Sequence, residues 1–388
     1  MTRIVRIIEK TISLASGMRN ADINFNTMTA SAVVMVSDVI RNGQPLIGVA
    51  FDSIGRYGHG ALLHERFIPR ALAAQPEQYA HSSKPGIDPV RFWSLLMANE
   101  KAGGHGERAG AVGLLDAAAW DLQAKIEDKP LWALLAEEFP GASSPSRTPV
   151  YASGGHYRSE DGIDALEREV TGYRQLGFER FKIKAGGLPI DQDLKRIDAV
   201  IRTIGDPRRL ALDFNAGLTG TNAHEWLNAV KGYDLAWVEE PVEPLDYELL
   251  ANLCASYPGA IGTGENLFSY ADTRNLLRHG GMRPNQDLLN VDISLSYGLV
   301  EYTRILELMA QNGWQRSACI PHAGHLLSAH AAAGFGLGGH ETAPNHPIFG
   351  QYPDDCRIEN GFLQLGERPG TGLEHTSGLH AIFNALIP

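Results

Sequence analysis

Residues 210–241 read LALDFNAGLTGTNAHEWLNAVKGYDLAWVEEP and contain one complete strand–helix–strand unit. Two short apolar runs, 210–215 and 236–241, flank a segment with the apolar spacing of an amphipathic helix. Units of about 25–30 residues with the same alternation recur from about residue 148 onward. This repetition predicts a parallel sheet whose strands are joined by helical crossovers.

The repeating region supplies eight predicted strands within about 200 residues, and that number favours a closed barrel over an open sheet. The predicted strands are Val150–Gly154, Arg180–Ala185, Leu210–Asn215, Ala236–Pro241, Ile261–Glu265, Leu288–Ser294, Cys319–His322 and a weak eighth near Gly334–Gly339. The fold class indicated is therefore α/β, with a TIM-type barrel.

The first part of the chain has a different pattern. Apolar runs at Ile4–Ile12, Ala32–Val36 and Leu46–Phe51 predict strands, and residues 61–136 are predicted to be helical. Strands followed by helices indicate an α+β unit. The tail contains Pro and Gly turns and a short helix, and we expect it to pack back on the first domain. We predict an α+β domain over 1–145, completed by 352–388, and a barrel domain over 146–351.

The composition argues against several classes of partner. The 388 residues include 44% hydrophobic and 20% charged residues, with a formal net charge of -11. This balance disfavours nucleic acid or an anionic membrane, and no apolar run approaches the roughly 20 residues that span a bilayer. Three cysteines without a CxxC spacing fit a reducing compartment, and the first residues lack the pattern of a signal peptide. We therefore expect a cytoplasmic protein that acts on a small molecule.

Three evenly spaced carboxylates lie at predicted strand ends. The intervals between Asp213, Glu239 and Glu265 are 239 − 213 = 26 and 265 − 239 = 26 residues. Neighbouring barrel strands at this spacing would place the three carboxylates side by side at the C-terminal rim. Three anions in one small site need a strong counter-charge, and an all-oxygen ligand set suits Mg²⁺ better than Zn²⁺. Acidic residues here could instead cap helices, but the equal spacing favours a metal site.

Two lysines end the second predicted strand. Lys182 and Lys184 are two residues apart, so both side chains point to the same face, into the barrel mouth. Between a metal ion and a second lysine, the pKa of Lys184 should fall, which suits a general base. The alternatives are two solvated lysines or two structural partners of the carboxylates.

The sixth and seventh strands end in Asp292 and His322. A carboxylate beside an imidazole fixes its tautomer and raises its pKa, which suits a general acid or base. The alternative is a buried histidine that a backbone carbonyl satisfies. His325, three residues later, is assigned no role. The glycine run GFGLGG, 334–339, lacks the context of a dinucleotide loop, and we interpret it as a tight turn before Glu341, a possible hydrogen-bonding group.

As a set, these motifs resemble the mandelate-racemase-like group of the enolase superfamily. They are KIK (182–184), DFN (213–215), WVEEP (237–241), GEN (264–266), VD (291–292) and IPH (320–322). The resemblance implies a modified (β/α)7β barrel with an α+β capping domain. Several segments are further similar to members of that group that dehydrate D-tartrate: 99–108, 263–269, 276–284, 295–302 and 336–341.

The resemblance also implies residue roles. Asp213, Glu239 and Glu265 would ligate Mg²⁺, and the pairing of this metal with a Lys or His base is the established pattern of the superfamily. Lys184 would abstract the α-proton, and His322, oriented by Asp292, would protonate the departing β-hydroxyl. The expected reaction converts D-tartrate to oxaloacetate and water.

The implied substrate contacts are divided between the two domains. Lys182, Asn215 and a protonated Glu341 would contact the substrate from the barrel. Loops near Met18–Asn20 and Gly55–Tyr57 should choose the substrate, with Asn20, Arg56 and Lys101 as candidate partners of a second carboxylate.

Three functional alternatives remain open at the level of sequence. They are a dehydratase for another acid sugar, a racemase or epimerase of the same superfamily, and a non-catalytic sugar-acid binding protein. The resemblance also implies a homo-oligomer.

Overall fold

The N-terminal part of the molecule is an antiparallel sheet covered by helices. The structure, a computed structural model, describes residues 1–14, 24–139, 146–157 and 162–387. The sheet has the order β1-β2-β3. Its strands are β1 (Ile4–Ser13), β2 (Thr29–Arg41) and β3 (Gln44–Phe51). Its helices are α1 (Gly60–Leu62), α2 (Ile68–Ala73), α3 (Pro89–Leu96), α4 (Glu107–Ile126) and α5 (Leu131–Glu138), with a π-helical segment at Leu63–Phe67 and 3-10 turns at Phe25–Thr27 and Pro76–Gln78. We call this unit the capping domain.

Helix α4 is the central element of the capping domain. Almost all of its residues are buried, because it packs on the sheet on one side and on the barrel on another. The close approach to the sheet requires Gly48, where a Cβ atom would lie 1.9 Å from the carbonyl oxygen of Ala118. On the other side, Asp116 accepts a hydrogen bond from the backbone N–H of Leu299 at 2.6 Å. The alanine-rich sequence of α4 is therefore a consequence of close packing on both sides.

The second unit is a parallel barrel. Strands β4 to β9 pair in sequence order, and β10 returns to pair with β4 and close the barrel. The strands are β4 (Arg147–Gly154), β5 (Phe181–Lys184), β6 (Leu210–Asp213), β7 (Trp237–Glu239), β8 (Ile261–Thr263), β9 (Leu288–Leu289) and β10 (His340–Thr342). The surrounding helices are α6 (Ile163–Gln175), α7 (Ile190–Ile204), α8 (Gly220–Val230), α9 (Tyr247–Ser256), α10 (Tyr270–His279), α11 (Leu299–Gln311) and α12 (Leu326–Phe335). Short 3-10 turns occupy Pro207–Arg209 and Arg316–Ala318.

The seventh and eighth barrel positions differ from the prediction. The seventh is reduced to a single bridge between Leu289 and Cys319. The eighth strand is His340–Thr342, and the prediction of a strand near Gly334–Gly339 is wrong. Those residues instead contain the end of α12, which stops at Gly336 in a left-handed conformation, a common way to end a helix. The strand therefore begins six residues later than predicted.

The C-terminal tail divides between the two units. Strands β11 (Arg357–Glu359) and β12 (Phe362–Gln364) form a hairpin that pairs antiparallel with β4 of the barrel. Farther on, Lys125 of α4 pairs with Glu374 at 2.6 Å, next to the 3-10 turn Leu373–His375 and α13 (Ser377–Asn384). Only the later part of the tail thus packs on α4 as expected, because β12 continues the barrel sheet. The division at residues 145 and 352 stays a prediction.

No helix among the described residues is both long enough and apolar enough to cross a bilayer.

Candidate active site

The three evenly spaced carboxylates converge at the C-terminal rim of the barrel. The sheet register places Lys184, Asp213 and Glu239 side by side on β5, β6 and β7, and Glu265 follows β8. One oxygen from each of Asp213, Glu239 and Glu265 lies within 4.8 Å of the others. Strand alternation and parallel pairing therefore bring the three anions together at one point.

The donor set fits a divalent cation. All three carboxylates are buried, and Oε2 of Glu265 has no hydrogen-bond partner among the described residues. A buried carboxylate oxygen without a partner is costly unless a cation compensates it. Burial, together with neighbouring carboxylates, raises the pKa of Glu239 to about 7 although Lys182 opposes the shift. A hard cation with oxygen ligands would relieve this repulsion.

Lys182 lies within the carboxylate cluster. Its ammonium group forms ion pairs with Glu239, with Oε1 of Glu341 at 3.0 Å and with Oδ2 of Asp213 at 3.5 Å. Burial lowers the pKa of Lys182, but the surrounding carboxylates outweigh burial and raise it. Lys182 therefore stays charged and balances part of the negative charge of the site.

Lys184 contacts the trio from the side of Asp213. Its Nζ lies 2.6 Å from Oδ2 of Asp213. Burial and Lys182 both lower the pKa of Lys184, but Asp213 and Glu265 together outweigh them, so the net shift is upward. The predicted fall in its pKa assumes a bound metal ion and stays a prediction for the metal-bound site.

His322 approaches the trio from the opposite end, beside Glu265. Its Nδ1 lies 2.9 Å from Oδ2 of Asp292, which is the contact that the sequence predicted. Its Nε2 is 3.8 Å from Oε1 of Glu265. Burial lowers the pKa of His322, but Glu265 and Asp292 raise it to about 9. The residue can thus carry a proton toward the cavity at neutral pH.

A cavity of about 90 Å³ connects these groups, and both Lys184 and His322 line it. Lys184 stands next to Asp213 at one end of the trio, and His322 stands next to Glu265 at the other. The strand order thus places an amine and an imidazole on either side of the carboxylates. Such an arrangement can remove a proton from a bound acid and deliver one to it.

Glu341, in the middle of β10, also lines the cavity. Burial raises its pKa, but Lys182 and then His322 lower it further, so the net shift is downward. Oε2 accepts a hydrogen bond from the backbone N–H of Ala323 at 3.3 Å. Its ion pair with Lys182 keeps Glu341 ionised in this arrangement, so the protonated form that could donate a hydrogen bond to the substrate is disfavoured.

The predicted substrate contacts differ in their position relative to the cavity. Asn215 and Arg56 line the cavity, and Arg56 donates a hydrogen bond to Oδ1 of Asn266. Lys101 does not line it and is exposed, and its carbonyl oxygen accepts a hydrogen bond from Arg108 at 2.9 Å. Asn20 and the rest of the predicted loop Met18–Asn20 lie outside the described residues.

Several site residues escaped the sequence analysis as participants. Trp237 donates from Nε1 to Oε2 of Glu239 at 2.7 Å, and Asn266 donates to Oε1 of Glu240 at 2.7 Å. Glu240 is buried, and burial raises its pKa strongly. These residues lie within the WVEEP and GEN motifs, close to the predicted metal ligands Glu239 and Glu265. Their position in the motifs could therefore have identified them as part of the site. Ser53, which contacts Asp292 from the capping domain, had no such signal.

Comparison with known proteins identifies the family. The model of the enolase C-terminal domain-like family matches residues 165–377, more than half of the chain. The chain belongs to the enolase superfamily. The matched range contains every rim residue of this enolase-superfamily barrel from Lys182 to Glu341.

Relatives of this enolase-superfamily chain include a dehydratase and a racemase. The L-talarate/galactarate dehydratase of Salmonella typhimurium is 26% identical over 351 residues, which cover 89% of this chain and 81% of that protein. A racemase from Streptomyces coelicolor A3(2) with bound magnesium superposes with a TM-score of 0.79 at 22% identity over 100% of both chains. L-Talarate dehydratase from Polaromonas sp. JS666, complexed with Mg and L-glucarate, gives 0.76 at 24% identity and covers 98% of this chain and 97% of that one. These likenesses establish the barrel with its capping domain.

Proposed function

We propose that this protein is a Mg²⁺-dependent dehydratase of a small hydroxy diacid, with D-tartrate as substrate and oxaloacetate and water as products. One observation carries the proposal: Lys184 and His322 flank a buried carboxylate trio from opposite ends of one cavity. Elimination needs a base at the α-carbon and an acid at the β-hydroxyl, and this arrangement provides both. The dehydratases among its relatives support the same reaction class.

Asp213, Glu239 and Glu265 would hold the metal ion. A bound Mg²⁺ supplies Lewis-acid stabilisation for the negative charge that develops on the substrate carboxylate. Lys182 adds positive charge on the barrel side of the trio. The positive charges of the metal ion and Lys182 thereby compensate the negative charge of a dianionic substrate, although the chain as a whole is acidic.

Two side chains move the protons. Lys184 takes the α-proton of the substrate through Nζ in its neutral form, which is favoured when a bound cation replaces Lys184 as the counter-charge of Asp213. His322, whose Nδ1 faces Asp292, presents Nε2 to the cavity and gives its proton to the departing β-hydroxyl, which leaves as water. The remaining enol tautomerises to the 2-keto acid, so that tartrate yields oxaloacetate.

We further propose which residues bind the substrate. Lys182, Asn215 and an ionised Glu341 would contact it from the barrel, with Glu341 accepting a hydrogen bond from a substrate hydroxyl. Arg56 is the cavity-lining cation available for a second carboxylate. Asn20 stays a candidate on sequence grounds, whereas the exposed position of Lys101 argues against its participation. A cytoplasmic homo-oligomer completes the proposal, and light scattering of the purified protein tests the assembly.

The decisive test is an activity screen with Mg²⁺ over D-, L- and meso-tartrate and a panel of aldarates and aldonates. We expect oxaloacetate from D-tartrate, detected by coupled reduction to malate. Absence of turnover on D-tartrate, with a 2-keto acid formed from another sugar acid, would replace the substrate and keep the reaction class.

A racemase or epimerase is the second candidate, because an amine and an imidazole on opposite sides of a substrate also suit two-base proton exchange. Incorporation of solvent deuterium at the α-carbon without loss of water would favour it. A non-catalytic binding protein would bind Mg²⁺ and an acid but exchange no proton. The complete set of base, acid and carboxylates argues against that reading.

A further inference from the structure

Ser53 of the capping domain reaches into the barrel site. It follows β3, is 1% exposed, and its Oγ donates a hydrogen bond to Oδ2 of Asp292 at 2.5 Å. The two residues are 239 positions apart in the chain. A carboxylate can only accept, so the serine hydroxyl must direct its proton at Asp292.

Three donors hold the Asp292 carboxylate. Oδ2 accepts from Ser53 and contacts Nδ1 of His322 at 2.9 Å, while Oδ1 accepts from the backbone N–H of Leu295 at 2.8 Å. Rotation of the carboxylate would break at least two of these bonds. Ser53 and Leu295 together therefore fix the orientation of the Asp292 carboxylate relative to the imidazole of His322.

The two residues that precede Ser53 are anchored to both domains. His325 of the barrel contacts the carbonyl oxygen of Phe51 through Nε2 at 2.7 Å, and its Nδ1 accepts from the N–H of Leu327 at 3.1 Å. Since Nδ1 accepts, Nε2 carries the proton and donates. Between Phe51 and Ser53, Oδ2 of Asp52 accepts from the backbone N–H of Ser31 within the capping sheet at 2.6 Å. Ser53 is thus held at a defined position relative to Asp292.

We propose that Ser53 is a positioning residue, which acts through Asp292 to aim His322 and thereby makes proton delivery to the leaving hydroxyl depend on a correctly seated capping domain. The proposal rests on the proposed function of His322 as general acid. Lys184 lies at the other end of the carboxylate trio, beside Asp213, and forms no hydrogen bond or ion pair with Ser53, Asp292 or His322. Loss of the serine hydroxyl should therefore impair elimination more than removal of the α-proton.

The test compares Ser53→Ala, Ser53→Thr and Ser37→Ala with wild type in D₂O with Mg²⁺ and D-tartrate. Ser37 is a matched control, because it is a buried serine of the capping domain whose hydroxyl donates to the backbone carbonyl of Leu46 and accepts from the backbone N–H of Val39. Mass spectrometry of recovered tartrate reports α-deuterium exchange, and oxaloacetate reports elimination. We expect S53A to slow elimination roughly ten- to a hundredfold and to raise the ratio of exchange to elimination by a similar factor. S37A should keep the wild-type ratio, and S53T, which retains the hydroxyl, should restore most of the elimination.

Two outcomes overturn the inference: an unchanged ratio in S53A, or equal loss of exchange and elimination in S53A and S53T. If S53A does not fold, Ser53→Cys replaces it, because a thiol of similar size is a weaker donor, and the same ratio decides. Failure of the proposed function is distinguishable, since wild-type protein would then form no oxaloacetate at all.

Discussion

At the scale of single residues, the site separates two lysines that the sequence presents as equivalent. Lys182 is enclosed by three carboxylates, whereas Lys184 pairs with Asp213 and faces the cavity. Strand alternation points both side chains into the barrel, so the difference follows from their depth: the residue nearer the rim lines the cavity. Position along the strand, more than residue type, decides which lysine faces the cavity.

The division of labour between Lys184 and His322 is testable by two substitutions. Lys184→Ala should lower both α-deuterium exchange and elimination by about 10²–10⁴-fold, because Lys184 is the only amine that lines the cavity in the described part of the chain. His322→Asn should block elimination while exchange survives. Exchange is measured by mass spectrometry in D₂O, and equal loss of both activities in both variants would contradict these roles.

At the scale of elements, the contact of α4 with the start of α11 requires a glycine. Gly298 has φ +87, and a Cβ atom there would lie 2.2 Å from Oδ2 of Asp116. Asp116 uses that oxygen to accept the N–H of Leu299 at the N-terminus of α11. Helix α4, the central element of the capping domain, thus contacts the barrel through the Asp116 carboxylate and the backbone at the start of α11.

Gly298→Ala should therefore destabilise the protein more than Gly313→Ala. Gly313 has a similar φ of +81 but open space where its Cβ would stand, so it matches the backbone strain without the clash. We expect the difference in free energy of unfolding to be about 1–3 kcal/mol, the usual cost of overpacking. Urea denaturation followed by circular dichroism measures it, and equal midpoints for the two variants would contradict the packing argument.

Helix α4 also begins at an ion-pair cluster around the buried His59, which should make stability depend on pH. His59 lies 2.8 Å from Oδ1 of Asp52 and 3.1 Å from Oε2 of Glu107. Burial lowers the pKa of His59, but the two carboxylates raise it to about 9. Because the unfolded value is about 6.5, the stabilisation is complete below that pH and is lost as the pH rises through 9.

Wild-type protein should accordingly lose about 3 kcal/mol between pH 6 and 10 relative to His59→Gln. Denaturation midpoints at several pH values give this difference, with the exposed His279→Gln as the control that should follow wild type. If wild type and H59Q showed the same pH dependence of the free energy of unfolding, the ion pairs of His59 would not be its cause.

At the scale of the whole molecule, the metal site should contribute to stability. Three buried carboxylates repel one another, and a cation that binds only the folded state stabilises it by mass action. At a Mg²⁺ concentration about a hundredfold above Kd, the gain is about 2.7 kcal/mol. The melting temperature should rise with Mg²⁺ and fall back with EDTA. Glu239→Gln should lose most of this response and the exposed Glu248→Gln should keep it, whereas an unchanged response in E239Q would exclude Glu239 as a ligand.

Much of the architecture was determined by the sequence alone, because it depends on short-range periodicity. Alternating apolar runs and amphipathic helices predicted β4 to β9 nearly in place, and the spacing of 26 residues predicted the convergence of Asp213, Glu239 and Glu265. The contact between Asp292 and His322 followed from their places at adjacent strand ends. These features need only strand direction and order, which local patterns specify.

Only the tertiary structure decided the features that depend on distant packing. The start of β10 differs from the prediction because α12 extends to Phe335, and Lys184 and Glu341 are found in ion pairs that influence their charge. The contact of Ser53 with Asp292 exists only in the folded molecule, where the capping domain packs on the barrel. No spacing rule links residues 239 positions apart, so contacts of this kind are fixed by the folded core rather than by the pattern of the chain.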